Sequence, residues 1–294
     1  MSESRLSIWI MAARPKTLWA AIAPVIIGTA MAYGDGGWHW PSALAALFSA
    51  VLIQIGTNFA NDYSDFKKGT DTGERLGPVR VTQAGLVKPS AMKRTTAIVF
   101  SLAIIAGAYL VWRGGWPIVV IGVLSILFGI LYTAGPYPLG YNGLGEIFVL
   151  IFFGPVAVGG TYYVQTLSID ATVLLAGLSP GLFSVAILTV NNLRDIDGDA
   201  RAGKRTSAVR FGAGFARYEY LACVAVACVL PFFLFINSGD HVYSLAALLV
   251  VPAAIPTFKI VLAKSDGPAL NEALAATGRL LLLFSVLFSC GWVL

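Results

Sequence analysis

Long apolar segments separated by short polar connections run along most of this chain. A helix needs about 20 apolar residues to cross a bilayer, and nine segments approach that length. They lie near residues 17–34, 42–61, 94–112, 117–134, 146–164, 171–191, 218–236, 242–262 and 274–293. The pattern predicts an all-α polytopic membrane protein with nine transmembrane helices, forming a single domain over residues 1–294.

Two local features interrupt this regular pattern. Gly154 and Pro155 lie inside the fifth segment and predict a kink there. The polar stretch between the second and third segments, residues 66–92, is too long for a simple turn. We expect it to be a functional loop that contains a short helix of its own.

Charged and amide side chains are concentrated in two places, each directly after an even-numbered apolar segment. We call them the first polar island (residues 58–74) and the second polar island (residues 191–206). Only 12% of the 294 residues are charged, against 57% that are hydrophobic. A soluble domain carries about twice that charged fraction, so the repeated clustering needs a specific explanation.

The distribution of Lys and Arg predicts the orientation in the membrane. Eighteen of the 20 basic residues fall on the side of the N-terminus and the two islands, while Arg113 alone lies on the opposite side. Positive charge marks cytoplasmic loops, so we expect a cell-membrane protein with a cytoplasmic N-terminus and an external C-terminus. The active-site loops, about 62–93 and 191–217, would then be cytoplasmic. The net charge of +5 reflects this topology, and we expect no nucleic-acid partner.

The acids and amides of each island follow helical spacing. Asn58, Asp62 and Asp65 are spaced i, i+4, i+7, and Asn191, Asp195 and Asp199 are spaced i, i+4, i+8, with Asn192 beside them. Each set therefore falls on one helical face. Stacked carboxylates repel one another, and a hard divalent cation removes that repulsion. Mg²⁺ is typically shared between one or two carboxylates and substrate phosphates.

Basic side chains next to the acids suggest the other half of such a site. Arg80, Lys204 and Arg205 are placed to meet phosphate oxygens. Taken singly, each island is explained equally well by solvated helix ends and topology signals. Two matching islands on one membrane face favour a shared site for a magnesium diphosphate.

These stretches resemble the UbiA superfamily of intramembrane prenyltransferases, and within it the branch that prenylates 1,4-dihydroxy-2-naphthoate (the MenA type). The resemblance rests on residues 13–18 (ARPKTL), 61–71 (NDYSDFKKGTD), 77–85 (GPVRVTQAG), 135–146 (GPYPLGYNGLGE), 191–199 (NNLRDIDGD) and 203–206 (GKRT). It implies a helical bundle around a central cavity, in which polyprenyl diphosphate binds with Mg²⁺ as cofactor.

The resemblance also assigns roles to residues. Catalysis is expected of Asp62, Asp65, Asp195 and Asp199. The same four acids and Asp71 are the expected metal ligands. The diphosphate would contact Asn58, Asn61, Arg80, Asn191, Asn192, Lys204 and Arg205. In the superfamily pattern an Asp lies four residues after the position of Asp65, where this chain has Gly69; Asp71 lies two residues further on.

The implied reaction is prenyl transfer to an aromatic carbon. Loss of diphosphate gives an allylic cation, which the naphthoate ring attacks as its carboxylate is lost. Such a cation must be kept from water, which suits an apolar cavity open to lipid, where the prenyl tail lies. Aromatic faces to stabilise it could come from Tyr132, Tyr137, Tyr141, Phe152 and Phe153. The aromatic acid could contact Arg14, Lys16, Gln83, Tyr141 and Glu146, although Arg14 and Lys16 serve equally well as topology signals.

Two alternatives stay open at this stage. Another member of the superfamily would use 4-hydroxybenzoate, homogentisate or a glycerol phosphate as acceptor. A cation-coupled transporter is a less favoured alternative. It needs ionisable residues deep within several helices, and in this sequence only Arg279 fits that description.

Overall fold

The computed structural model describes residues 4–69 and 76–294, and every regular element among them is helical. The elements are α1 (Arg5–Ala13), α2 (Trp19–Gly34), α3 (Trp40–Lys68), α4 (Pro89–Gly114), α5 (Trp116–Leu131), α6 (Gly145–Thr166), α7 (Ala171–Arg194), α8 (Ile196–Arg201), α9 (Ser207–Ser238), α10 (Val242–Ala263) and α11 (Gly267–Val293). The predicted all-α class is confirmed.

The predicted count of nine spans is too high. Within the described residues, seven helices are long and apolar enough to cross a membrane, or eight if the bent pair at the N-terminus forms one span. Helix α5, predicted over 117–134, has only 16 residues and is therefore not among these long helices. It still returns the chain from the end of α4 at Gly114 to Thr133, which bonds Asn61 of the first island. The predicted segment ends at residue 134, whereas the helix ends at Leu131 and a turn follows.

The first span is preceded by a sharp bend. Helix α1 and a short 3₁₀ turn at Pro15–Thr17 meet α2 at 53°. The bend begins at Arg14, which has a left-handed backbone conformation with φ of 54°. Pro15 then removes a backbone donor, so the α-helix cannot continue through it. The consequence is that Arg14 lies at a corner of the bundle, where it contributes to the site described below.

The predicted kink in the fifth segment is present. Residues Phe152–Val156 form a π-helical turn inside α6, and Gly154 departs from helical geometry with φ of −109° and ψ of −113°. Pro155 explains the break, since it lacks an N–H and clashes with the preceding turn. At the kink α6 approaches α7 closely: a Cβ on Gly177 would lie 2.9 Å from the backbone of Pro155.

The segments around the two islands differ from the sequence prediction. Helix α3 carries the first island up to Lys68, so these residues are helical and not part of a loop. After residues 70–75, the described part of the 66–92 segment forms turns in place of the expected helix. In the second island, helix α7 ends at Arg194 and α8 begins at Ile196. Asn191, Asp195 and Asp199 therefore do not lie on one uninterrupted helix.

The main hydrophobic core lies between α2, α7, α9 and α11, where Phe183, Tyr220, Phe284 and Phe288 are almost fully buried. Helix α3 packs on α4 at the other side of the bundle. This arrangement leaves a space bordered by α3, α5, α6 and α7, and both islands face it.

Candidate functional site

A cavity of about 980 Å³ occupies the space between these helices. Polar residues from both islands and from the intervening loop line one end of it. They are Asn58, Asn61, Asp65, Arg80, Tyr132, Thr133, Tyr141, Asn191, Asn192, Asp195, Asp199, Lys204 and Thr206. The two islands, more than 110 residues apart in the sequence, thus meet at a single site, as their matching patterns suggested.

Asp65 is the central acid of the first island. It is 1% exposed, and its Oδ2 accepts a hydrogen bond from Arg80 Nη2 at 2.5 Å. Its Oδ1 accepts another from the Tyr141 hydroxyl at 2.5 Å. A buried carboxylate is costly unless it is paired and hydrogen-bonded, and these contacts compensate it.

Asp62 is oriented differently from Asp65. Its two oxygens accept hydrogen bonds from the backbone N–H groups of Val81 and Thr82, both at 3.1 Å, and it is not among the described residues that line the cavity. One helical step separates it from Asn61, which does line the cavity. Asp62 therefore anchors the turn that presents Arg80, and its expected role as a metal ligand remains a prediction.

The two amides of the first island are held from opposite sides. Asn58 donates through Nδ2 to the Ala13 carbonyl at 2.9 Å and to Thr17 Oγ1 at 3.3 Å. Asn61 accepts from Thr133 Oγ1 at 2.7 Å. These bonds tie α3 to the corner between α1 and α2 and to the loop after α5.

In the second island, Asp195 is held by its neighbour Arg194. The guanidinium forms two bonds to this carboxylate, from Nε at 2.9 Å and from Nη2 at 2.6 Å. Nη2 also donates to Asn191 Oδ1 at 2.7 Å. Sequence reasoning gave Arg194 no role, although its side chain is fully buried. The signal available in the sequence was an arginine directly before an acid at the end of an apolar run.

The remaining acid of the cavity, Asp199, pairs with Lys204 at 2.9 Å. Nearby, Asn192 donates to Glu146 Oε1 at 3.0 Å, and Ser207 donates to the same oxygen at 2.6 Å. Glu146 is not among the described residues that line the cavity. It supports Asn192, and its expected contact with the aromatic acid remains a prediction.

Tyr141 connects the two islands. The ammonium groups of Lys68 and Lys204 each lie 4.8 Å from the centre of its ring, and its hydroxyl binds Asp65. Its carbonyl accepts the backbone N–H of Arg205 at 2.7 Å. Two cation–π contacts and a charge-assisted hydrogen bond fix this one side chain against acids and bases of both islands.

Other residues expected at the site are distributed unevenly. Arg14 lines the cavity. Lys16, Gln83 and Arg205 are exposed and are not among the described lining residues, because each lies on the outer side of its turn. Asp71 lies outside the described residues.

Four of the five expected aromatic side chains line the cavity: Tyr132, Tyr141, Phe152 and Phe153. Tyr137 is 60% exposed and is not one of them. Desolvation raises the pKa of the Tyr132 phenol well above its ordinary value, and the negative charge of Glu146 adds to this effect. The phenol is therefore neutral across the physiological range and presents an aromatic face to the cavity.

Away from the islands the cavity is lined by apolar side chains. They include Ile104, Val119, Val123, Ile126, Phe128 and Val164. Several of those on α4 and α5 are also exposed, among them Ile104 at 60% and Val123 at 58%. The cavity thus joins a charged end to a long apolar end, an arrangement that suits an amphiphilic ligand with an anionic head.

The donor set of the charged end fits a divalent cation that is shared with a ligand. Asp65, Asp195 and Asp199 all face the cavity. Among the described residues, however, no three His, Cys, Asp or Glu side chains lie close enough to hold a metal ion alone. Mg²⁺ usually binds one or two carboxylates and completes its shell with water and substrate phosphate, so these residues fit it.

Comparison with known proteins decides the family. The model of the UbiA prenyltransferase family matches residues 21–290. The chain belongs to the UbiA prenyltransferase family. With its apolar helices, this membership makes it an integral membrane protein, and it confirms the family resemblance found in the sequence.

Similar proteins within the family cover nearly the whole chain. The chain is 38% identical to the 1,4-dihydroxy-2-naphthoate octaprenyltransferase of Haemophilus influenzae, over 99% of this chain and 97% of that protein. It is 39% identical to the enzyme of the same name from Mycobacterium tuberculosis, over 95% and 94% of the two chains.

The fold is shared with a solved member of the family. A structure of a UbiA homolog from Archaeoglobus fulgidus bound to GPP and Mg²⁺ superposes with a TM-score of 0.72, covering 97% of this chain and 99% of that one. The identity is only 14%, so this likeness establishes the helical architecture and does not assign residue roles.

Proposed function

We propose that this protein transfers a polyprenyl group from polyprenyl diphosphate to 1,4-dihydroxy-2-naphthoate, with loss of the ring carboxylate, to give demethylmenaquinol, the reduced form of demethylmenaquinone. The observation that carries the proposal is the cavity, in which acids and bases of two distant islands converge at one end of a long apolar space. Membership of the UbiA prenyltransferase family supports it. It is also supported by two relatives that are named for this activity and match this chain over nearly their whole length.

The charged end would bind the diphosphate. Asp65 and Asp199 are paired with Arg80 and Lys204; a diphosphate offers those two cations alternative anionic partners and thereby frees the carboxylates to hold Mg²⁺. Bound there, Mg²⁺ would neutralise the charge that develops on the departing diphosphate. Asp195 completes the set of acids, held in place by Arg194.

The apolar end would receive the prenyl tail. Side chains such as Ile104 and Val123 line the cavity and are exposed at α4 and α5, which supports a lateral opening to lipid there. Water excluded from this region cannot capture an allylic cation. Tyr132, Phe152 and Phe153 line the cavity and supply π-faces that favour positive charge.

The aromatic acceptor would bind between the charged end and Arg14. That side chain lines the cavity at the bend before α2, and its guanidinium is suited to a carboxylate. The acceptor ring carbon that carries the carboxylate then forms the new bond, diphosphate leaves from the prenyl carbon, and carbon dioxide leaves from the ring.

We also propose that the protein lies in the cell (inner) membrane with the islands and N-terminus in the cytoplasm. The eighteen-to-one distribution of basic residues supports this orientation. Both substrates carry negative charge, so they would meet the charged end from the cytoplasmic side.

The test uses purified protein in lipid nanodiscs with labelled prenyl diphosphate, the naphthoate and Mg²⁺. We expect labelled demethylmenaquinol, detected as demethylmenaquinone after oxidation in air. Activity should be abolished in Asp65→Ala, Asp195→Ala and Asp62→Ala, and kept in Asp197→Asn. Asp197→Asn is the matched control, because Asp197 is exposed on α8 and is not among the described residues that line the cavity. Full activity in well-folded Asp195→Ala would refute the site.

A panel of acceptors completes the experiment. Preference for 4-hydroxybenzoate, homogentisate or a glycerol phosphate over the naphthoate would refute the proposed substrate while keeping the reaction class. Movement of cations across sealed vesicles without any prenylated product would contradict the proposed enzymatic activity.

A further inference from the structure

A line of hydrogen bonds connects the two halves of the site away from the cavity. It begins at Arg194, whose guanidinium binds Asp195 and Asn191 on one side. On the other side its Nη1 donates to Asn271 Oδ1 at 2.7 Å. Arg194 thus uses four hydrogen bonds to hold the second island and α11 together.

Asn271 continues this line to the first half of the site. It lies on α11, and its Nδ2 donates to the Leu76 carbonyl at 2.9 Å. The helix lies directly against this segment, because a Cβ on Gly267 would be 2.9 Å from Leu76 Cβ. One amide therefore serves as acceptor for Arg194 and as donor to the backbone that precedes Arg80.

The segment held in this way carries Arg80. Arg80 lies four positions after Leu76 and binds Asp65 in the first island. Beyond Arg80, the N–H groups of Val81 and Thr82 are bound by Asp62. The segment 76–82 is thus fastened at one end to α11 through Asn271 and at the other end to α3.

We propose that Asn271 is a positioning residue that couples the two islands. Through Arg194 it fixes Asp195, and through Leu76 it fixes the segment that presents Arg80. An amide suits this position because it offers one acceptor and one donor on the same group. Neither a carboxylate nor an apolar side chain provides both. The inference rests on the proposed function, since coupling matters only if both islands bind one diphosphate.

The primary variant is Asn271→Leu, which removes both hydrogen bonds and leaves a buried guanidinium N–H without its acceptor. We expect the KM for prenyl diphosphate and the Mg²⁺ concentration for half-maximal activity to rise by about tenfold, as loss of a charged hydrogen bond implies. The KM for the aromatic acid should stay at the wild-type value. Amide hydrogen exchange in residues 76–88, measured without substrate, should accelerate.

Two further variants keep the test decisive. Asn271→Asp retains an acceptor for Arg194 but cannot donate to Leu76 at neutral pH, so we expect the faster exchange in residues 76–88 with a smaller rise in KM. Glu272→Leu places the same apolar side chain as the primary variant on the exposed neighbouring position of α11 and should leave all four measurements unchanged.

The outcomes separate this inference from the proposed function. Wild-type KM values and wild-type exchange in Asn271→Leu would overturn the inference. A lower yield of folded Asn271→Leu with normal KM values would also overturn it. If Asn271→Leu does not fold, wild-type exchange and KM values in Asn271→Asp would overturn it instead. Absence of prenyl transfer by the wild-type protein contradicts the proposed function, whereas the exchange measurement does not depend on turnover.

Discussion

Tyr141 offers a stepwise test of the site, because its hydroxyl and its ring make separate contacts. Tyr141→Phe removes only the hydroxyl, which donates to Asp65 at 2.5 Å. A hydrogen bond to a charged group contributes about 1.5–3 kcal/mol, which corresponds to roughly 10–150-fold in binding. We expect the KM for prenyl diphosphate to rise within this range, because Asp65 loses a hydrogen-bond donor that holds it in place.

Tyr141→Leu also removes the ring that Lys68 and Lys204 both contact. Each cation–π contact near a protein surface is worth about 0.5–1 kcal/mol, so the two together add about 1–2 kcal/mol, or a further factor of roughly 5–30. Compared with Tyr141→Phe, the Leu variant should therefore have a higher KM for prenyl diphosphate again.

The assay is steady-state transfer to 1,4-dihydroxy-2-naphthoate, in which each substrate is varied in turn. Wild-type KM in Tyr141→Phe, or equal KM values in the Phe and Leu variants, would refute the reasoning from these contacts. A rise in the KM of the aromatic acid alone would instead place Tyr141 at the acceptor, the role first expected from the sequence.

Three other predictions follow from the structure. Arg14→Met should raise the KM of the aromatic acid by roughly 10–150-fold, because a charged hydrogen bond is lost. Lys16→Met, at an exposed position, should leave that KM unchanged. Equal effects of the two substitutions would contradict the acceptor site. Gly177→Ala should lower the thermal unfolding temperature, because its Cβ would meet the Pro155 backbone at 2.9 Å and overpacking costs about 1–3 kcal/mol. Gly214→Ala is the control, since the space around its Cβ is open. Equal unfolding temperatures of the two variants would refute the close contact. Alkaline phosphatase fused to the C-terminus should be active in cells, since that terminus is expected outside; an inactive fusion that is well expressed would reverse the orientation.

Much of the architecture could be predicted from the sequence, because hydrophobic length and charge placement act locally. The apolar runs gave the helices, and Gly154 with Pro155 gave the kink in α6. The overestimated length of α5 has a simple cause. Hydropathy does not mark where a helix stops, and its 16 residues end just before a turn that is itself rich in aromatic residues.

The candidate site was predicted only in part, since helical spacing does not reveal which neighbour each face meets. Spacing placed Asp62 with Asp65, yet Asp62 binds the backbone of Val81 and Thr82. Arg194 was overlooked for a related reason. Adjacent residues do not face each other on a continuous helix, and Arg194 reaches Asp195 only because α7 ends between them.

The central claim is that both islands hold one magnesium diphosphate at the charged end of one cavity. An experimental structure with a non-hydrolysable prenyl diphosphate analogue and Mg²⁺ tests it most directly. We predict Mg²⁺ bound to Asp65 and to Asp195 or Asp199 at about 2.0–2.1 Å, Arg80 and Lys204 on the phosphates, and the tail beside Ile104 and Val123. A diphosphate bound by one island alone, or a tail outside this cavity, would contradict the account.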